Sequence, residues 1–132
     1  MTLYVDASAV VKLYVEEPAS SDAARHLRGP WASGRHTLVE VRRALTQSLG
    51  GSELQVARDR FAGDWERTTI IELDEGVCDR AAELAESAGL RSLDALHLAA
   101  AELLGPSEHG FVTFDLRLAE AARSLGWDVL GV

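Results

Sequence analysis

The chain has 132 residues, 47% hydrophobic and 26% charged, which fits one ordinary globular domain, and residues 1–132 are read as a single unit. Its net charge of −8 excludes nucleic-acid binding by overall charge alone and points to a basic partner. A lone cysteine, Cys78, excludes an intrachain disulfide, and without CxxC or a Cys/His cluster the sequence argues against zinc.

Residues 2–5, TLYV, are apolar and β-prone and predict a first strand. ASAVVKLYV (7–15) predicts a helix stopped near Pro18, and 20–29 a second helix capped by Ser20 or Ser21 and ended by Gly29. Residues 30–36 predict a weak strand. Helices follow at 37–49, with Leu38, Val41, Leu45 and Leu49 on one face, and at 53–67, with Leu54, Val56, Ala57, Phe61 and Trp65 apolar. The Gly-Gly-Ser between them (50–52) predicts the tight turn of a helical hairpin.

TTIIEL (68–73) predicts a strand, and 75–90 a helix with Asp74 as N-cap and Val77, Ala81, Leu84 and Ala88 on its buried face. Cys78, on the same helix, is expected to pack as a small apolar residue. RSLDALHLAA (91–100) predicts a helix capped by Ser92, burying Leu93, Leu96 and Ala100 and ending at Gly105–Pro106. A strand at 110–114, a helix at 116–126 and a strand in WDVLGV complete the chain. Short apolar strands separated by helices mean a parallel sheet covered on both faces, so the expected fold is α/β in three layers with about five strands. The first eighteen residues lack a signal-peptide pattern, and no run is long and apolar enough to span a membrane, so a cytoplasmic, membrane-free protein is expected.

In open α/β sheets the site lies beyond the carboxyl ends of the strands. Asp6 follows the first strand and Asp115 the 110–114 strand. Glu40 lies one turn into the helix after the second strand, and Asp94 in the first turn of its own helix. Four carboxylates converging there raise one another's pKa and call for a cation. Oxygen-only ligands select a hard ion, Mg²⁺ or Mn²⁺, and the chemistry this suggests is phosphodiester hydrolysis. Each acid also has a bland reading: turn or cap for Asp6 and Asp115, helix-dipole partner for Asp94, ion pair with Arg43 for Glu40.

YVDASAVVK, EVRRAL, LDALHLAA and VTFDLRLAEAA, in this order over nearly the whole chain, resemble the motifs of the PIN-domain family, specifically the VapC toxins of bacterial toxin–antitoxin pairs. The resemblance implies a metal-dependent endoribonuclease with Mg²⁺ or Mn²⁺, held silent by a cognate VapB-type antitoxin, and a homodimer. It places the acidic quartet on Asp6, Glu40, Asp94 and Asp115. Asp6 and Asp94 are then the principal metal ligands, Asp115 serves a second ion or the water, and Glu40 orients water. Ser8 and Thr113 match hydroxyl positions that would hydrogen-bond the carboxylates.

His97 is expected to be a packed, hydrogen-bonded structural residue, and Lys12 a solvated or ion-paired charge unless it serves as counter-charge to the acids. Arg42 and Arg43 are the candidate RNA contacts, within a rim that also draws on Arg35, His36, Arg91 and Arg117. The antitoxin would lie on the apolar faces of the helices at 7–15, 20–28 and 37–65, with Trp31, Phe61 and Trp65 as anchors or as domain core. Two other readings stay open: a PIN-type nuclease acting on DNA structures, and a catalytically silent interaction module. A phosphoacceptor receiver domain is set aside because no lysine follows Lys12.

Overall fold

The structure, a computed structural model, describes residues 2–106 and 109–132. Its apolar runs pair into one sheet: Leu3–Val5 (β1), Trp31–Gly34 (β2), Thr69–Ile71 (β3), Gly110–Thr113 (β4) and Asp128–Gly131 (β5). The order is β3-β2-β1-β4-β5 and every pairing is parallel. Parallel neighbours need crossovers, and helices supply them. These are Ala7–Val11 (α1), Ser20–His26 (α2), Thr37–Ser48 (α3), Gly51–Glu66 (α4), Glu75–Ala88 (α5), Ser92–Glu102 (α6) and Leu116–Ser124 (α7).

Successive strand residues point to opposite faces, so the sheet builds two cores. Tyr4, Ala32 and Phe111 face α5, α6 and α7, where Leu84, Leu98 and Leu118 are buried. Val5, Trp31 and Val112 face α1, α3 and α4, where Val10, Leu45 and Phe61 are buried. The three-layer α/β architecture with five parallel strands is the one expected. The chain builds β1, β2 and β3 toward one edge, then crosses to lay β4 and β5 on the other side of β1. The switch therefore falls between β1 and β4, where the strand ends open a crevice.

Several local expectations give way to packing. Gly50 is the N-cap of α4, and Gly51 and Ser52 are already helical, so the turn at 50–52 is shorter than expected. Arg91, not Ser92, sits at the N-cap of α6, and Ser92 begins the helix. The buried face of α6 runs through Ala95, His97, Leu98, Ala99, Ala100 and Ala101, while Leu93 is 49% exposed. Small alanines let α6 lie close against α5 and the sheet, which moves the seam away from Leu93. Cys78 is exposed, its thiol turned to the Leu73 carbonyl rather than into the core. Val56 and Ala88 are exposed too, since α4 and α5 bury narrower stripes than their apolar spacing suggests. Ser20 lies inside α2, whose N-cap is Ala19; its hydroxyl ties Glu17 to Val15. Asp74 does cap α5, accepting from the Val77 N–H at 2.9 Å.

Candidate active site

Asp6 is the first residue after β1 and the N-cap of α1. Its carboxylate is buried, and both oxygens are held. Oδ1 accepts from the Ala9 N–H at 3.0 Å and from Ser8 Oγ at 2.7 Å. Oδ2 accepts from Thr113 Oγ1 at 2.6 Å. These bonds reach across the switch point: Ser8 Oγ also accepts from the Phe114 N–H, and Thr113 Oγ1 from the Asp115 N–H. The β1–α1 and β4–α7 turns are thus stitched together around one carboxylate. Such charge-assisted bonds are shorter and stronger than neutral ones. Even so, burial holds the Asp6 pKa above its usual value, with His97 and the three donors opposing it.

Asp115 caps α7, accepting from the Arg117 and Leu118 N–H groups with Oδ1. Its Oδ2 turns to Arg91, 3.5 Å away, and the same guanidinium lies 3.5 Å from Asp94 Oδ2. Asp94, with its side chain 16% exposed, sits in the first turn of α6. Its pKa is raised by burial first and by Asp115 next, with Asp6 adding to the effect and Arg91 and His97 opposing it. The electrostatics therefore couple Asp94 to both neighbours. Arg91 gives Asp94 and Asp115 an ion-pair partner and Glu40 has imidazole neighbours; Asp6 has no ion-pair partner among the described residues.

Glu40 approaches along a different chain. Its Oε1 lies 2.7 Å from Nε2 of His97, whose Nδ1 lies 2.7 Å from the Tyr4 hydroxyl. That hydroxyl accepts from the Gly34 N–H at 3.1 Å. Gly34 has no Cβ because one would come within 2.7 Å of the His36 ring. Burial pushes the Tyr4 phenol far up, so it stays neutral and can donate or accept. His97 is buried and hydrogen-bonded on both nitrogens, the structural role expected of it, and it holds Glu40 in place.

His36 packs against His97 with ring centroids 4.0 Å apart and planes tilted by 39°, and its Nε2 is 3.7 Å from Glu40 Oε1. Burial and then His97 push its pKa down to about 4. Tyr4 is the residue that sequence reasoning passed over, and His36, expected only in the basic rim, stands instead beside Glu40 and His97. The signal for His36 was present, since His36 and Glu40 are one helical turn apart and share a face.

The basic rim is brought together only in part. Arg91 stands over Asp94 and Asp115. Arg43 follows Glu40 by one turn but bonds Gln47 at 3.2 Å. Arg42, about 200° around the helix from Glu40, instead lines the outer groove between α3 and α4, so it is separated from the acids. Arg35 forms a two-bond pair with Glu72 at 2.8 and 2.6 Å. Arg117 gives its N–H to the Asp115 cap. Lys12 pairs with Glu17 at 3.1 Å, the ordinary ion-paired charge. Trp31, Phe61 and Trp65 are buried in the core, with Phe61 and Trp65 also flooring the α3–α4 groove.

An oxygen-only set at Asp6, Asp94 and Asp115 suits a hard divalent ion, which takes few carboxylates directly and keeps its remaining positions for water. Burial disfavours the ionised forms of Asp6 and Asp94, and Asp115 adds to this at Asp94; a bound cation would favour those ionised forms.

Comparison with known proteins places this geometry in a family. The chain matches the PIN domain family over residues 3–124. It is 38% identical over 130 residues to Ribonuclease VapC46 of Mycobacterium tuberculosis, covering 97% of this chain and 95% of the relative. Among solved structures, the fold is similar to Mycobacterium tuberculosis VapC20, described as a Sarcin-Ricin loop cleaving toxin. The TM-score is 0.75, with 17% identity and 99% and 98% of the two chains covered. It is also similar to a chain of VapBC2 from Rickettsia felis bound to a DNA fragment from their promoter. There the TM-score is 0.67, with 18% identity and 98% and 97% covered. With motifs, topology and full-length similarity in agreement, the chain belongs to the PIN-domain family and, within it, to the VapC ribonucleases.

Proposed function

We propose that this protein is a metal-dependent endoribonuclease, the toxin of a toxin–antitoxin pair, with Asp6, Glu40, Asp94 and Asp115 as its working acids. The observation that carries the reading is Asp6. A carboxylate buried with both oxygens held, with no ion-pair partner among the described residues and with its charge felt at Asp94, is stabilised in its ionised form by a cation. Full-length similarity to a protein named as a ribonuclease supports RNA as the substrate.

Asp6 and Asp94 would hold Mg²⁺ or Mn²⁺, with Asp115 beside them. When bound, the ion eases deprotonation of a water and neutralises charge on the phosphodiester. The chain's own residues set the geometry. Ser8 and Thr113 fix the orientation of Asp6, and His97 fixes that of Glu40, so that Glu40 aligns a water. Arg91, 3.5 Å from both Asp94 and Asp115, places its guanidinium at the crevice where it could meet a phosphate. Arg43, on the Glu40 side of α3, is the better placed of the two arginines for RNA.

The antitoxin reading draws on the outer α3–α4 groove, lined by Leu38, Arg42, Arg58, Phe61, Trp65 and Glu66, with Val39 and Val56 exposed nearby. Apolar floor and charged rim suit a protein segment. A VapB-type antitoxin is supported by similarity to one chain of a VapBC assembly, and a homodimer follows from the resemblance. The test is cleavage of total RNA by the antitoxin-free protein with Mg²⁺ or Mn²⁺, and again with EDTA, beside Asp94→Asn. Discrete cuts that require metal and vanish in the variant support the reading. No cutting under any metal condition turns the weight to an interaction module, and cutting of branched DNA alone to a DNA nuclease.

A further inference from the structure

Glu40, one of the four acids, also stands in a second grouping, with His36 and His97. Among the described residues they form the group of three whose ligand atoms all lie within 4.8 Å of one another. Two imidazoles and one carboxylate are a different donor set from the oxygen-only crevice. Imidazole nitrogen suits borderline d-block ions such as Zn²⁺, while carboxylate and water suit Mg²⁺. We propose that His36, Glu40 and His97 form a second, inhibitory metal site that takes a zinc-class ion, distinct from the site at Asp6 and Asp94.

The geometry supports three ligands. Donors at about 2.0–2.2 Å from a tetrahedral ion lie roughly 3.3 Å from one another. The present separations bracket that value: 3.7 Å from His36 Nε2 to Glu40 Oε1, and 2.7 Å from His97 Nε2 to the same oxygen. A small turn of the Glu40 carboxylate admits an ion between them. Three protein ligands leave a fourth position for water.

The surroundings are those of a prepared site. Metal-ligating histidines are oriented by a hydrogen bond on their other nitrogen. His97 has that bond, from Nδ1 to the Tyr4 hydroxyl, itself anchored by the Gly34 N–H. The hydroxyl can donate to Nδ1 or accept from it. The ring can therefore carry its proton on Nδ1 and give Nε2 to an ion, with no net proton released from the imidazole.

His36 supplies an independent sign. Its side chain is 9% exposed, yet Nδ1 is buried without a partner, and Nε2 makes only a long 3.3 Å contact with the Leu93 carbonyl. A histidine this buried is normally satisfied on both nitrogens. An ion between His36 and Glu40 would give Nε2 a close partner in place of that long contact, while Nδ1 stays on the Gly34 side of the ring.

Occupation would draw Glu40 away from any water it aligns, so Zn²⁺ would slow Mg²⁺-dependent cleavage; this consequence, unlike the binding itself, rests on the function proposed above. The experiment is therefore built on binding. Zn²⁺ is titrated calorimetrically into the full chain, and Co²⁺ is added in parallel for its visible absorption, intense in four-coordinate sites. Wild type and Asp94→Asn should each take up one Zn²⁺ with similar affinity and give the same Co²⁺ spectrum. His36→Gln should weaken both at least about tenfold. Glu40→Gln should do the same, and carries the test if His36→Gln fails to fold by circular dichroism. Loss of Zn²⁺ in Asp94→Asn with retention in His36→Gln and Glu40→Gln would overturn the proposal, as would no Co²⁺ absorption in the wild type. Zn²⁺ binding without inhibition of cleavage would keep the site and remove its inhibitory role.

Discussion

Replacing Asp94 by asparagine keeps the shape of the side chain and removes one of the charges crowded at the switch point. Asp94 and Asp115 each lie 3.5 Å from the same guanidinium, Arg91. That places their oxygens within about 9 Å of each other, and at an effective dielectric of about 20 the repulsion is roughly 2 kcal/mol. Losing the exposed Arg91 pair returns about 0.5 kcal/mol of that. After solvent screening, the metal-free variant should be more stable by about 1 kcal/mol, a Tm rise of roughly 3–5 °C at this chain length.

The pH dependence gives the reasoning a sign. Burial raises the Asp94 pKa in the folded state, so the folded protein binds the proton more tightly than the unfolded chain. Wild-type stability from this group is then greatest in acid and is lost as pH rises through the folded pKa. Asn does not titrate, so the advantage of the variant should be largest at neutral pH and shrink toward acid. Calorimetry in EDTA between about pH 4 and 8 measures both curves. A variant less stable than wild type at neutral pH, or an advantage that does not change with pH, would refute the argument that Asp94 sits under repulsion.

Thr113→Val removes the 2.6 Å donor to Asp6 and the acceptor of the Asp115 N–H, and should cost about 1–3 kcal/mol at neutral pH by urea unfolding; an unchanged midpoint would mean the stitch across the switch point carries no energy. Gly131→Ala would drive a Cβ into the Thr113 carbonyl at a φ of +109°, so β5 should unpair from β4, read as faster exchange of those β5 amides that are protected in the wild type. Phe61→Ala should cost about 3–5 kcal/mol, because Phe61, on α4, is buried against Tyr14 and Trp65. Mg²⁺ added to the apo protein should raise Tm with concentration, by about 2.7 kcal/mol of stability at one hundred times its Kd; Asp6→Asn should abolish that rise.

The strands were legible because parallel strands covered on both faces are plainly apolar, and TLYV and GFVTF carry that signature. Asp6 and Asp115 were legible for a related reason: each stands one or two residues beyond a strand, where the sheet's topology must bring it to the crevice. Helix ends were less so. Ser92 looks like a cap, yet α6 starts there because Arg91 already has extended backbone dihedrals. The apolar residues Leu93 and Val56 look buried by spacing, but the alanine-rich seam of α6 and the Ala57–Phe61–Trp65 stripe of α4 fill the space first. The Tyr4–His97–Glu40 chain was hidden because its members lie 93 and 57 residues apart, and only the sheet brings them together. Arg42 and Arg43 share one shallow groove on α3, yet about 100° of helical rotation takes Arg42 on to the α3–α4 groove while Arg43 stays nearer Glu40, which no count of charges reveals.

The central claim is that the acidic crevice cuts RNA only when a divalent ion sits at Asp6 and Asp94. The direct measurement follows cleavage of one defined RNA against Mn²⁺ concentration while the paramagnetic resonance of free Mn²⁺ reports binding in the same samples. The account predicts that cleavage and occupancy rise together in the wild type, and that both are lost in Asp6→Asn and in Asp94→Asn while the fold persists. Cleavage that continues in EDTA, or Mn²⁺ binding that survives both substitutions unchanged, would contradict it.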